Sequence, residues 1–328
     1  MFETYYPRNF CKDLVRIKGN SAQLSMLMAV IFGIKPCMDD WISIERYDAY
    51  KAACRKYGLL VRESSVFYEV NKRFIYAGVV GRERLTTTCA LGYRYSPNVR
   101  LRAGVVHVFI SRTHQHLERC FQNGWYPVIV NNRVIDKPLA DVYGFGHTLG
   151  YPPCCIDFFR KFNNWLKYSY LHEVLKNTKV SGSLPYVCNP FSKDDTYTYI
   201  YHMPCSYSCI NTKETALSLR KAIMDKEPEF VVAIDRHLKI PYLVVYERKF
   251  FAFEGSLENG VIRYNKVYSL SSNRNISENY LTSLAKGDAV RVDDRDIYVS
   301  RKGKDVAVIR TEKKKFGPEY PFIIQFSS

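Results

Sequence analysis

Two cysteine pairs, Cys154-Cys155 and Cys205 with Cys209, stand fifty positions apart, each behind a proline and ahead of a helix-forming run. Pro152 and Pro153 pre-set the backbone of a first helical turn, and Ile156, Phe159, Phe162 and Leu166 then recur at helical spacing. Asn211 followed by Glu214 reads as a capping box for a second helix through Ala216, Leu219, Ala222 and Ile223. Both pairs therefore fall where unpaired N–H groups and a partial positive charge favour the thiolate. Four thiolates so placed predict a fold that brings the two segments together around a metal.

The chain has 328 residues, 47% of them hydrophobic and 15% aromatic, enough for one large domain or two smaller ones with packed cores. The longest apolar run, Leu24 to Ile34, is about half of what a membrane span needs, so no transmembrane helix is expected. Arg8, Lys12, Arg16 and Lys18 precede that run as in a signal peptide, but Glu3 and Asp13 break the charge and no small-x-small cleavage site follows. Ser21 as a cap, with Gly33 and Pro36 as stops, predicts a core helix instead. A cytoplasmic location follows, and in that reducing setting the ten cysteines point to ligand or catalytic roles before disulfides.

The fold class expected is α/β in the mixed α+β sense, in three regions. Residues 1–141 hold a mixed sheet with helices: an amphipathic helix from Trp41 to Tyr57, strands near Leu59–Arg62 and Arg73–Val80, then a βαβ-like unit. That unit comprises a strand over Val105–Ile110, a helix over His114–Gln122 and a strand over Tyr126–Val130. Residues 142–228 form a helical region carrying the four cysteines, with a turn-rich stretch from Asn177 to Asp195. Residues 229–328 read as mostly antiparallel β, with Asn259-Gly260 and Lys302-Gly303 as hairpin turns and a helix near Ser277–Ala285.

Soft thiolates select zinc, copper(I) or an iron–sulfur cluster. A standard zinc ribbon uses Cys-x-x-Cys knuckles, whereas this chain offers Cys-Cys and Cys-x-x-x-Cys. Successive side chains point apart, which disfavours adjacent cysteines on one ion, a limit that a larger cluster or a pair of metals relaxes. The first expectation is thus an iron–sulfur cluster, of the [4Fe–4S] kind, on Cys154, Cys155, Cys205 and Cys209, with a redox or sulfur-transfer role. The alternative is structural zinc at the same cysteines in a nucleic-acid-binding, RNA-associated protein. Cys120 and Cys188 are further ligand candidates, and His147 and His202 candidates for nitrogen ligation or proton transfer. Cys11, Cys37, Cys54 and Cys89 are expected to be packing residues.

The string Gly150-Tyr151-Pro152-Pro153-Cys154-Cys155, with His202-Met203-Pro204-Cys205-Ser206-Tyr207-Ser208-Cys209 downstream, resembles a family of uncharacterised microbial proteins that carry a Gly-Tyr-Pro-x-Cys-Cys signature. That resemblance spans about sixty residues and implies no particular activity. A partial resemblance links Cys120, Cys154-Cys155, Cys205 and Cys209 to the cysteine-rich domain of heterodisulfide reductases. There a lone Cys, a Cys-Cys-Gly and a Cys-x-x-Cys hold an iron–sulfur cluster, and the likeness implies cluster chemistry. Ile156 stands here where that pattern has glycine, and the final spacing is one residue longer.

The formal charge is +16, from 48 Lys and Arg against 32 Asp and Glu, and implies a polyanionic partner such as nucleic acid. The densest segment carries Arg82, Arg84, Arg94, Arg100 and Arg102 with Tyr93 and Tyr95 interleaved, a combination suited to clamping phosphates and stacking bases. Lys313-Lys314-Lys315 adds a shorter basic run. Phosphate-binding loops, dinucleotide fingerprints, a hydrolase nucleophile elbow and a zinc-protease His-Glu-x-x-His are all absent from the sequence.

Overall fold

The computed structural model describes residues 5–19, 21–68, 75–76, 91–92, 104–124, 127–130, 133–136, 141–162, 170–178, 184–192, 197–246, 249–270, 274–311 and 321–327. The chain divides into two units, one of Tyr6–Asn164 with Leu217–Pro228 and one of Met1–Tyr5, Trp165–Ala216 and Glu229–Ser328. Both mix helices with antiparallel sheet, so the class is mixed α+β. Among the described residues no helix is long and apolar enough to cross a membrane.

The first unit opens with α1 (Lys12–Lys18) and α2 (Ser21–Ile31). Leu24, Met26, Leu27, Met28, Ala29 and Val30 of α2 are all buried, as expected of a helix apolar all round. Ser21 lies inside the helix and not at its cap. Gly33, at φ 72°, supplies the left-handed turn that stops it.

Next come β1 (Cys37–Ser43), α3 (Ile44–Lys56), β2 (Leu60–Tyr68), β3 (Ile75–Tyr76), β4 (Leu91–Gly92) and β5 (Gly104–Ser111). The helix expected from Trp41 thus begins three residues later. Trp41, Ile42 and Ser43 instead extend β1, whose seven residues all pair with β5, from Cys37 opposite Ser111 to Ser43 opposite Val105. Buried Asp40 fixes this strand by accepting from Lys18 at 2.6 Å and from the Tyr50 hydroxyl at 2.8 Å. The sheet order is β1-β5-β2, antiparallel throughout, with β5 buried along Val106–Ile110.

After β5, α4 (His114–Asn123) starts on a Thr113 cap whose side chain accepts from His116 N–H at 3.2 Å. The βαβ expectation fails at the next step. The strand β6 (Pro127–Val130) does not return to β5 but pairs antiparallel with β7 (Arg133–Asp136). Only Asn131 and Asn132 separate the two, and so short a connection makes a hairpin more accessible than a crossover. Helices α5 (Val142–Thr148) and α6 (Pro153–Phe162) follow.

The second unit contains α7 (Tyr170–Lys176), a 3₁₀ turn at Tyr186–Cys188, α8 (Ile210–Met224), which runs into the first unit's Leu217–Pro228 segment, and α9 (Pro228–Leu238). Its sheet uses β8 (Pro241–Tyr246), β9 (Lys249–Glu258), β10 (Val261–Ser269), β11 (Ala289–Asp293), β12 (Asp296–Arg301), β13 (Lys304–Arg310) and β14 (Phe322–Gln325), with α10 (Arg274–Leu284) between β10 and β11. The strand order is β13-β12-β11-β10-β9-β8-β14. Both expected hairpin turns form: Asn259 and Gly260 have φ of 50° and 77°, Lys302 and Gly303 have 50° and 78°. Leu243, Phe251, Phe253, Ile262, Val290, Ile297 and Val299 pack with Leu284 of α10 into one core.

Candidate metal centre

The Cys154-Cys155 pair is set by a turn that the sequence spells residue by residue. α5 ends with Gly150 N–H on His147 O and Tyr151 N–H on Gly146 O, both at 2.9 Å, and Gly150 takes φ 73°. A side chain at Gly150 would also press on Pro36, whose Cδ lies 2.8 Å from where a Cβ would stand. Buried Lys35 donates to the Leu149 carbonyl, and its ammonium sits 4.6 Å from the Tyr151 ring centroid. Pro152 O accepts from Cys155 N–H at 2.9 Å and Ile156 N–H at 3.0 Å, so Pro152 caps α6 and Pro153 occupies its first position. Ile156 packs on α5 where Gly146 has no side chain. Cys154 and Cys155 fall in the first turn of α6, with sulfurs 3.9 Å apart.

The second pair is held by the end of α7. Thr178 Oγ1 donates to Val174 O at 2.7 Å and accepts from Tyr207 N–H at 3.0 Å and from Ser206 Oγ at 3.4 Å. Asn177 Nδ2 donates to Cys205 O at 2.8 Å. Tyr207 is fully buried, its hydroxyl donating to Leu171 O at 3.3 Å and its ring meeting Phe326 edge-on at 5.5 Å. Cys209 N–H bonds Ser206 O, and Cys209 O accepts from Lys213 N–H at 2.9 Å. Cys209 is therefore the residue that opens α8, and Asn211, the expected cap, lies inside the helix. The cap moves back two residues because the Ser206–Cys209 turn already delivers the chain in the right direction.

The four ligand atoms of Cys154, Cys155, Cys205 and Cys209 all lie within 4.8 Å of one another, and the group can hold a metal ion. Cys155 and Cys209 are buried at 2% and 7% exposure, while Cys154 and Cys205 are half-buried. Consecutive in sequence, Cys154 and Cys155 bring their sulfurs to 3.9 Å of each other from the first turn of α6. Each pair also meets a helix N-terminus, α6 or α8, which offsets the charge that four thiolates gather.

The other candidates are placed elsewhere. Burial, then the neighbouring Cys209, pushes the Cys188 thiol up to about 12, so Cys188 stays protonated beside Cys209 O, 3.9 Å away. Cys120 faces Cys37, at 2.9 Å between sulfurs. His147 stacks edge-on to Tyr143, and His202 is bonded to Thr212 Oγ1 at 3.0 Å. None of these four belongs to the converged group. Cys11, Cys37 and Cys54 are fully buried. Arg82, Arg84, Arg94, Arg100 and Arg102, with Tyr93, Tyr95, Cys89 and Lys313–Lys315, lie outside the described residues.

Sequence reasoning missed Asn177, Thr178 and Lys35, the residues that hold the two turns. Asn177 and Thr178 sit at the start of a stretch legible only as polar and turn-rich; Lys35 is a lone lysine between a helix stop and a strand. No protein-family model matches the chain, and no curated protein and no solved structure matches it.

Proposed function

We propose that the protein binds a single metal ion, zinc, through Cys154, Cys155, Cys205 and Cys209, and that the centre is structural. The observation that carries this reading is the sulfur spacing. With Zn–S bonds of about 2.3 Å, the edge of a tetrahedron of sulfurs is about 3.8 Å. The Cys154–Cys155 separation is 3.9 Å, and all four sulfurs lie within 4.8 Å. In a [4Fe–4S] cluster each thiolate binds a different iron, and the sulfurs open out to roughly 6 Å. A closed shell of four protein thiolates leaves no position for a substrate, which supports a structural role over redox or sulfur-transfer chemistry. The formal charge of +16 supports a polyanionic partner, RNA above all, for a protein stabilised in this way.

Anaerobic purification followed by metal analysis and a visible spectrum tests the reading. One zinc per chain and a colourless protein are expected, with Cys154→Ser and Cys205→Ser each lowering the metal content. Iron with acid-labile sulfide and broad visible absorption would replace this reading with the cluster. Mononuclear iron would keep the four-thiolate site and change only the ion. Full metal retention by both variants would remove the site altogether.

A further inference from the structure

A second pair of cysteines lies outside the metal centre. Cys37 opens β1 and Cys120 lies in the last turns of α4, 83 positions later, yet their sulfurs approach to 2.9 Å. Nonbonded sulfurs, larger than carbon, rest no closer than roughly 3.6 Å. Closing a disulfide, at about 2.0 Å, needs only about 0.9 Å more.

The pair is held in place from both sides. Cys37 is in register opposite Ser111 of β5, and only Arg112 and Thr113 separate β5 from α4. The Thr113 cap starts α4 at a fixed point, and Leu117 and Cys120 face the sheet from one side of the helix. Around the two thiols are Phe109 and Leu117, with Leu60, Phe121 and Phe145 packed against them. Cys37 Sγ also makes a long 3.6 Å approach to Met38 O.

We propose that Cys37 and Cys120 form a disulfide, making this unit of the protein responsive to a thiol–disulfide couple such as glutathione. Each thiol gives up one proton and one electron, the S–S bond forms, and one glutathione disulfide is reduced to two glutathione thiols, so atoms and electrons balance. The exchange passes through a mixed disulfide on one of the two cysteines, which the other then displaces. Both cysteines are fully buried, and the hydrogen bond with Cys37, then burial, pushes the Cys120 thiol far up, so attack is slow on the closed structure. The bond therefore exchanges through openings that lift α4 from the sheet.

The test equilibrates the full chain in glutathione buffers of graded oxidised-to-reduced ratio, approached from both fully reduced and fully oxidised protein. Remaining thiols are blocked with N-ethylmaleimide in denaturant, and the peptides are identified by mass. The expected result is a linked Cys37–Cys120 peptide whose fraction rises with oxidised glutathione and is lost in Cys120→Ser. The double variant Cys37→Ala with Cys120→Ala should show a smaller difference in melting temperature between oxidising and reducing buffers than the natural chain. Single blocking of both cysteines at every ratio, linkage of either to a different cysteine, or a melting difference undiminished in the double variant would overturn the proposal.

Discussion

Thr178→Val removes a hydroxyl and almost no volume, and so isolates the hydrogen bonds that hold the Cys205–Cys209 turn. Thr178 Oγ1 has three partners, donating to Val174 O and accepting from Tyr207 N–H and Ser206 Oγ. Ser206 is left with Ser208 Oγ at 3.0 Å, so its loss is small. Tyr207 N–H, above a fully buried ring, loses its acceptor, which costs about 1–3 kcal/mol, and the lost bond to Val174 O adds about 1 kcal/mol. The turn is thereby destabilised by about 2–4 kcal/mol. A metal that needs the turn formed must restore it on binding, so affinity should fall about 30–900-fold, at or above the 10–100-fold typical of groups that orient metal ligands. Zinc competition against a chromophoric chelator at neutral pH measures this, with circular dichroism confirming the fold. Thr178→Ser, which keeps the hydroxyl, should bind as the natural chain does. A valine variant that folds and binds zinc within about threefold of the natural chain would refute the reasoning, since the ligand turn would then be indifferent to its supports.

Lys35 offers a pH test. Burial brings its pKa down from the ordinary 10.5 to about 8, against the opposing pull of Cys37, Asp39 and Cys120. The unfolded chain therefore holds more protons than the folded one between pH 8 and 10.5, and this group's contribution to stability rises with pH across that window. Urea titrations should show the natural chain gaining on Lys35→Met by about 3 kcal/mol from pH 8 to 10.5, and parallel curves would count against a buried ammonium. Gly146→Val would drive a Cβ to 2.9 Å from the Ile156 side chain, so the variant should lose about 1–3 kcal/mol of stability and bind zinc more weakly. An unchanged thermal midpoint would show that α5 and α6 do not pack through this glycine. Replacing Arg94, Arg100 and Arg102 together by Ala should weaken binding to single-stranded RNA and flatten its dependence on salt. Equal binding by variant and natural chain would remove those arginines from the RNA reading.

Periodicity and turn chemistry carried most of the fold into view. Two of the C-terminal hairpins were readable from their turns, Asn259-Gly260 and Lys302-Gly303 having φ above zero at both central residues, whereas β14 (Phe322–Gln325) carried no such mark and was not expected. Pro152 and Pro153 marked the start of α6 correctly for a similar reason, since proline suits only the first helical turn. Trp41–Ser43 and β6 were misread because pairing decides them: β1 gains seven paired residues on β5, and β6 takes its neighbour β7 instead of a distant strand. At the metal centre the ligands were legible as chemistry, four cysteines near helix starts. Their supports were not, because Thr178 and Lys35 act through backbone groups, and no spacing in the sequence records which carbonyl a side chain will find.

The consecutive placement of Cys154 and Cys155 on one helical turn bears on how quickly a metal comes and goes. Two ligands joined by a single peptide close one of the smallest rings that cysteines can make, so when one thiolate lets go the other keeps the ion at a high effective concentration of its partner. Cys205 and Cys209, three residues further apart in sequence, close a looser ring. Loading would then run in a fixed order, capture at the tight pair and closure by the looser one, and escape would begin at Cys205 and Cys209. Exposure adds a second route, because Cys154 of the tight pair is the most open of the four, and a chelator or a metal-exchanging protein meets it first.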